Sequence, residues 1–178
     1  MYNFCYQDLH EVKGFDMVYF FLVDKINCGT ILEYGSGAGQ STIYGAEHIN
    51  AKGKNIRLMA VDDYQSHKQS EGNKVYDAYH LFLCHLSKSS CLDAVSSFNV
   101  DLDYFNLIVR NASLAAIYFL RPITLETLEN WLPKLCNGGF LVVAPNCFSK
   151  YDIIDFCEDH GFKSFELQDE NFVIVNSN

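Results

Sequence analysis

Basic residues are scarce in this chain and never cluster: 13 Lys and Arg stand against 22 Asp and Glu, for a net charge of -9. Nucleic acids and anionic membranes are gripped by basic stripes, so neither is the expected partner. A small neutral or cationic ligand, or a protein, suits the charge better. The seven cysteines (Cys5, Cys28, Cys84, Cys91, Cys136, Cys147 and Cys157) are odd in number, irregularly spaced and contain no CxxC pair. That argues against a disulfide framework or a zinc knuckle, and for reduced thiols in a cytoplasmic protein. The start of the chain carries Asp8, Glu11 and Asp16 rather than the basic and apolar regions of a signal peptide. The apolar run VYFFLV (18–23) is far too short to cross a membrane. Repeats, low-complexity tracts and Pro/Gly linkers are absent, so one domain over 1–178 is expected. What is abundant is aromatic: 14 Phe and 11 Tyr, against one Trp, suggest a dense core or an aromatic-lined pocket.

Helical and strand patterns alternate. The spacing predicts helices over 16–26, 40–53, 75–88, 123–135 and 150–161, and strands over 30–34, 56–62, 92–98, 105–111 and 140–145. The polar stretch 63–74 reads as an exposed loop, and NGG (137–139) as the glycine stop of the helix before it. AAIYFL (115–120) has strand propensity but is taken as helical, because 105–111 already fills the fourth-strand place. The last two runs, 163–169 and 171–177, lie too close together for a crossover and must form an antiparallel hairpin. The expected fold is therefore α/β: a Rossmann-like, doubly wound, seven-stranded, mostly parallel sheet with one antiparallel strand in the C-terminal hairpin.

The most informative stretch is ILEYGSGAGQST (31–42). It places glycines directly after a buried strand, where open parallel sheets bind ligands. A dinucleotide loop needs GxGxxG, and here Gly35 and Gly37 are followed by Gln40 in the third position. Glu33, two residues before Gly35, is also poorly placed beside a pyrophosphate. S-adenosylmethionine has no phosphate and carries a sulfonium and an ammonium, beside which a carboxylate makes electrostatic sense. The second strand ends in VDDY, so Asp62, or else Asp63, stands where a carboxylate can accept the hydroxyls of a ribose. The bland alternative is that one of the two caps a turn.

The chain resembles the class I S-adenosylmethionine-dependent methyltransferases over nearly its whole length. LEYGSGAGQST, AVDDY, FNLIVRNAS, NWLPKLCNGGFLVVAPN and FELQDENFVIVNS carry the resemblance, in that order. ILEYGSGAGQST with AVDDYQS and WLPKL–GG looks most like the small-molecule and sugar methyltransferase branch that includes cephalosporin hydroxylase-like proteins. The resemblance implies S-adenosyl-L-methionine as cofactor and a small-molecule acceptor. It implies that Glu33, Gly35, Gly37 and Gly39 line the methionine and ribose, and that Asp62, with Asp63 as second choice, binds the ribose. Phe98 and Asn99 would flank the adenine, and Arg110 and Asn111 would face the methyl donor and acceptor. Exposed hairpin edges in such sheets often pair, so a homodimer is also an expectation.

The chain departs from that pattern where related enzymes keep acids. Asn106 and Asn111 stand in the fourth-strand region, no histidine follows them, and Pro145–Asn146 replaces an acid–Asn pair after the fifth strand. No metal site is expected, since a divalent ion needs several oxygen ligands. His67, His80 and His85 are the base candidates by region, each more simply read as a surface or helix-face residue. Trp131 and the aromatics of VYDAYHLFL are expected in the core, and MYNFCYQDLH either covers the cofactor or docks as a tail. Nothing in the sequence marks Cys147, after the fifth strand, as reactive. Two other readings stay open: a protein that kept the fold and lost the chemistry, and a nicotinamide-dependent oxidoreductase, disfavoured by Gln40 and Glu33.

Overall fold

The computed structural model describes residues 14–64, 68–71, 74–145, 147–167 and 171–175. The expected N-terminal cover (1–10), His67, Asn146 and Cys5 lie outside the described residues. Helix α1 (Phe15–Lys25) leads into β1 (Cys28–Tyr34), α2 (Gln40–Ala51) and β2 (Asn55–Asp62). A short hairpin of β3 (Lys68–Glu71) and β4 (Lys74–Asp77) precedes α3 (Ala78–Lys88), β5 (Val95–Asn99) and α4 (Leu102–Ile108). The second half runs β6 (Leu114–Phe119), α5 (Leu125–Trp131), β7 (Leu135–Val143), α6 (Lys150–His160), β8 (Lys163–Glu166) and β9 (Phe172–Val175).

Seven strands form one sheet in the order β5-β2-β1-β6-β7-β9-β8. β1 pairs in parallel with β2 and β6, β2 with β5, and β6 with β7, while β9 runs antiparallel to both β7 and β8. The chain therefore reverses its direction of winding at β1, between β2 and β6. That opens a crevice at the carboxyl ends of β1 and β6. The apolar alternation of β1 and β2 buries Ile31, Leu32, Leu58, Ala60 and Val61 completely. Phe15, Val18, Tyr19, Leu22 and Val23 of α1 recur at helical spacing and pack on the same core. Trp131 is fully buried, anchoring α5, whose start is capped by the Thr124 hydroxyl accepting from the Thr127 amide. Gly161 closes α6 in the left-handed conformation.

Four sequence expectations are corrected. Residues 105–111 are not a strand: Asp101 accepts from the amides of Asp103 and Tyr104 and starts α4 there. Only Leu102 and Phe105 of that helix are buried, while Tyr104, Leu107 and Ile108 face solvent at 71–79% exposure. The fourth strand of the sheet in chain order is instead the run expected to be helical, β6, whose residues Ala116–Phe119 are wholly buried between β1 and β7. A helix would have left one face of that run to solvent; a strand flanked on both edges and covered on both faces buries all of it. NGG (137–139) lies inside β7, opposite a register shift against β6 between Leu114 and Ala116, and the helix before it ends instead in the 3-10 turn Leu132–Lys134 containing Pro133. Within the stretch read as loop, β3 and β4 pair as an antiparallel hairpin.

Candidate functional site

Three glycines, Gly35, Gly37 and Gly39, turn the chain from β1 into α2 at φ of 94°, 49° and 97°. The turn is pinned by Gly35 N–H donating to Val61 O at 2.9 Å and Gly39 N–H to Ser36 O at 2.8 Å. The His85 ring nitrogen Nδ1 lies 2.8 Å from Ala38 O, so α3 holds the loop from behind. His85 is buried in that contact, and His80 sits 3.5 Å from Cys84 Sγ on the same helix. Neither faces the crevice as a base. Cys147 donates to Arg121 O at 3.0 Å, and burial pushes its thiol up to about 11, so it is a structural donor and not a nucleophile.

Two carboxylates flank the loop, and both are wholly buried. Glu33 points away from the crevice, into the layer of α1 and α2. Tyr19 Oη donates to it at 2.5 Å and the Thr42 hydroxyl donates to its other oxygen. Tyr19 reaches it because α1 and α2 touch at Gly45, where a Cβ would stand 2.4 Å from the Tyr19 ring. Burial raises the Glu33 carboxyl pKa, and the hydroxyl donors only partly oppose it. Asp62, at the tip of β2, is held differently. Its Oδ2 accepts from Gly37 N–H at 3.0 Å, and its Oδ1 from Tyr64 N–H at 3.0 Å and from Arg121 Nη1 at 2.5 Å. Asp63, with its side chain 29% exposed, takes a second contact from Arg121 Nη1 at 3.1 Å.

Arg121 was not foreseen. It stands two residues beyond the end of β6, and the sign of it in the sequence was a charged residue directly after an unbroken apolar run, the same form as LEYG and VDDY. Its backbone is fixed from both sides: Leu120 N–H donates to Tyr34 O at 2.9 Å, and Cys147 holds Arg121 O. Its aliphatic stem lies on the glycine loop. A Cβ on Gly35 would be 2.3 Å from Arg121 Cγ, so only glycine admits this approach. Burial works against the guanidinium's charge, and Asp62 and Asp63 reverse the effect, so its pKa rises. Tyr64 closes the wall beside Asp62. It is a non-glycine residue at φ 53°, with its ring 4.9 Å from Tyr79 and 6.0 Å from Phe82 between centroids.

The structure thus brings Gly35, Gly37, Asp62 and Asp63 into one crevice, with Asn99 beside them through its pairing with Asp62. Gly39 is at its back, where an added Cβ would stand 2.9 Å from the Phe82 ring. Phe98 turns its ring away, 4.7 Å from that of Phe105 under α4. Arg110 and Asn111 are a correction. They precede β6 rather than follow a strand, so they sit at the opposite, amino end of the sheet. Arg110 there lines a separate apolar cleft of about 270 Å³ with Thr30, Met59 and Ile108. Among the described residues no three His, Cys, Asp or Glu side chains converge as metal ligands, and no described helix is long and apolar enough to cross a membrane.

In its backbone and its carboxylate the crevice fits a ribose-bearing cofactor. Positive-φ glycines let a ligand approach the main chain, and Asp62 stands where ribose hydroxyls would donate. Both Asp62 oxygens are engaged, however, and one of them in part by the Arg121 side chain.

No family model matches the sequence, and no curated protein matches it by sequence. Solved structures match the fold. A methyltransferase from Geobacter sulfurreducens superposes with a TM-score of 0.69 at 12% identity, over 94% of this chain and 81% of that one. An S-adenosylmethionine-dependent O-methyltransferase from Thermotoga maritima gives 0.63 at 10% identity, over 95% of this chain and 66% of that one. A tRNA (m1A58) methyltransferase from Aquifex aeolicus gives 0.63 at 14% identity, over 93% and 70%. The chain has the Rossmann-like fold seen in these methyltransferases. Since that fold is shared by proteins acting on tRNA and by O-methyltransferases, it does not by itself choose an acceptor.

Proposed function

We propose that this protein is an S-adenosylmethionine-dependent methyltransferase acting on a small-molecule acceptor without a metal ion. The observation that carries the reading is the contact of Gly37 N–H with Asp62 at 3.0 Å. It joins a positive-φ glycine loop to a buried carboxylate at the carboxyl ends of adjacent central strands. Bound there, the cofactor supplies a methyl group already activated on a sulfonium. This chain's residues then have positioning work rather than covalent work. Asp62 accepts the ribose hydroxyls, the glycine loop admits the methionine portion against its backbone, and Asn99 borders the adenine side. Two features support a small acceptor over a nucleic acid. The chain carries a net charge of -9, and the crevice holds Asp62 and Asp63 with Arg121 between them. A phosphate backbone would be repelled. The β6 and β7 tips offer Leu120, Arg121 and Pro145 instead of metal-binding acids.

The test is calorimetric titration with S-adenosylmethionine and its demethylated product, followed by an assay of that product with candidate acceptors. Micromolar binding and turnover with a small acceptor support the reading, and no binding to either compound by the protein or by its Arg121→Met variant rejects it. A second reading, a methyltransferase-like protein acting as a cofactor-binding or scaffold partner without catalysis, is favoured by one observation: Arg121 lies across Gly35 and takes Asp62. Binding with no product across acceptor classes would select it.

A further inference from the structure

We infer that Arg121 is a latch: its guanidinium occupies the cofactor's ribose carboxylate, and ligand binding requires it to let go. The inference rests on the cofactor reading above and adds how that site is controlled. Arg121 Nη1 bridges Asp62 at 2.5 Å and Asp63 at 3.1 Å, and its stem covers Gly35. One side chain therefore fills both places that a ribose and a methionine portion would use. It sits at the topological switch point itself, where ligands enter open α/β sheets.

The latch is confined to the side chain. Tyr34 and Cys147 pin the backbone of Leu120 and Arg121, and Pro122 fixes the next φ. Release thus needs rotation about the arginine's own bonds and no movement of the sheet. The arginine side chain keeps 20% of its surface exposed, and Asp63 is more open still, so the guanidinium has a path toward solvent while Asp62 stays at 0%. Asp62 does not lose its other support on release, because the amides of Gly37 and Tyr64 still donate to it. A ligand must compete with an ion pair, so the latch scales the apparent affinity down to the fraction of molecules that are open. It also keeps a buried carboxylate satisfied when no ligand is present.

The experiment is titration of S-adenosylmethionine into the full chain and into two variants, with folding checked by circular dichroism. Arg121→Met keeps the stem on Gly35 and removes the charge. Asp63→Asn leaves Arg121 and Asp62 in place and takes the charge off the second, partly exposed anchor, so it remains informative if Arg121→Met fails to fold. The latch predicts tighter binding in both, by roughly tenfold or more in Arg121→Met and a few-fold in Asp63→Asn. Binding by Arg121→Met alone, with none by the unsubstituted chain, supports a latch that is strongly closed. Equal or weaker binding in the folded variants overturns it and makes Arg121 a cofactor contact or a bystander, while leaving the cofactor site standing. No binding by any of the three rejects the cofactor site and the latch with it.

Discussion

Glu33 and Asp62 are both wholly buried carboxylates near the ends of neighbouring strands, yet they are solvated by the protein in opposite ways. Glu33 is surrounded by hydroxyls, from Tyr19 and Thr42. A hydroxyl can donate to a carboxylate or accept from a carboxylic acid, so this environment tolerates either protonation state, and burial raises the pKa. Asp62 is surrounded by groups that can only donate: two backbone amides and a guanidinium. The first carboxylate knits α1, β1 and α2 together behind the glycine loop. The second is an acceptor at the ligand entrance, with one side-chain donor among its three. Similar depth, then, does not mean similar work: the donors decide which carboxylate is structural and which can serve a ligand.

Asp62→Ala should break that contrast most severely. It leaves two buried amides without their acceptor and the partly buried guanidinium with Asp63 but not Asp62, costing about 2–3 kcal/mol, near the low end for a broken buried pair because Arg121 is partly exposed. Two charge-assisted hydrogen bonds to a ribose, at ~1.5 kcal/mol each, are worth roughly a hundredfold in affinity. Losing the Arg121 contact returns part of this, leaving a net weakening of about tenfold or more. Asp63→Ala should cost about 1 kcal/mol or less, because its pair with Arg121 is partly open to solvent, and should not weaken cofactor binding. Chemical denaturation and titration of the two variants check both statements.

Tyr19→Phe probes the other carboxylate. Removing a donor from a buried acceptor should cost about 1–2 kcal/mol in a denaturation experiment. Cofactor affinity should stay within about threefold, since Tyr19 and Glu33 lie behind the loop. A larger loss of affinity than of stability would mean that the two carboxylates act together.

The smallest effect is a pH dependence. Because burial raises the Glu33 carboxyl pKa, the stability linked to its protonation is complete below the ordinary glutamate value of 4.5 and is lost as pH rises through the raised, folded value. Glu33→Gln, which cannot ionise, should therefore gain on the unsubstituted protein as pH rises through that window. The comparison is between thermal midpoints measured across the range. A difference that does not change with pH would show that Glu33 titrates normally.

Much of the fold was legible because alternating strands and helices and a closing hairpin leave few topologies. The failure at 105–120 has a specific cause. FNLIVRN and AAIYFL are both short apolar runs, and periodicity cannot separate a buried strand from a helix of that length. What decides is the Asp101 cap, together with the solvent exposure of Leu107 and Ile108, which composition hides. That one exchange displaced the site by the height of the sheet. It sent attention to Arg110 and Asn111 at the wrong end and concealed Arg121 at the right one. Gly35, Gly37 and Asp62 were legible because their signals are local: glycines and an acid directly after strong strands. The facing direction of Glu33 was not, because it depends on Tyr19 reaching across at Gly45.

The most direct measurement is a calorimetric titration of S-adenosylmethionine into the unsubstituted protein, Asp62→Ala and Glu33→Gln, at one pH and ionic strength. The account predicts that Asp62→Ala loses about tenfold or more in affinity while Glu33→Gln stays within about threefold. Equal losses in the two variants, or a greater loss in Glu33→Gln, would contradict it.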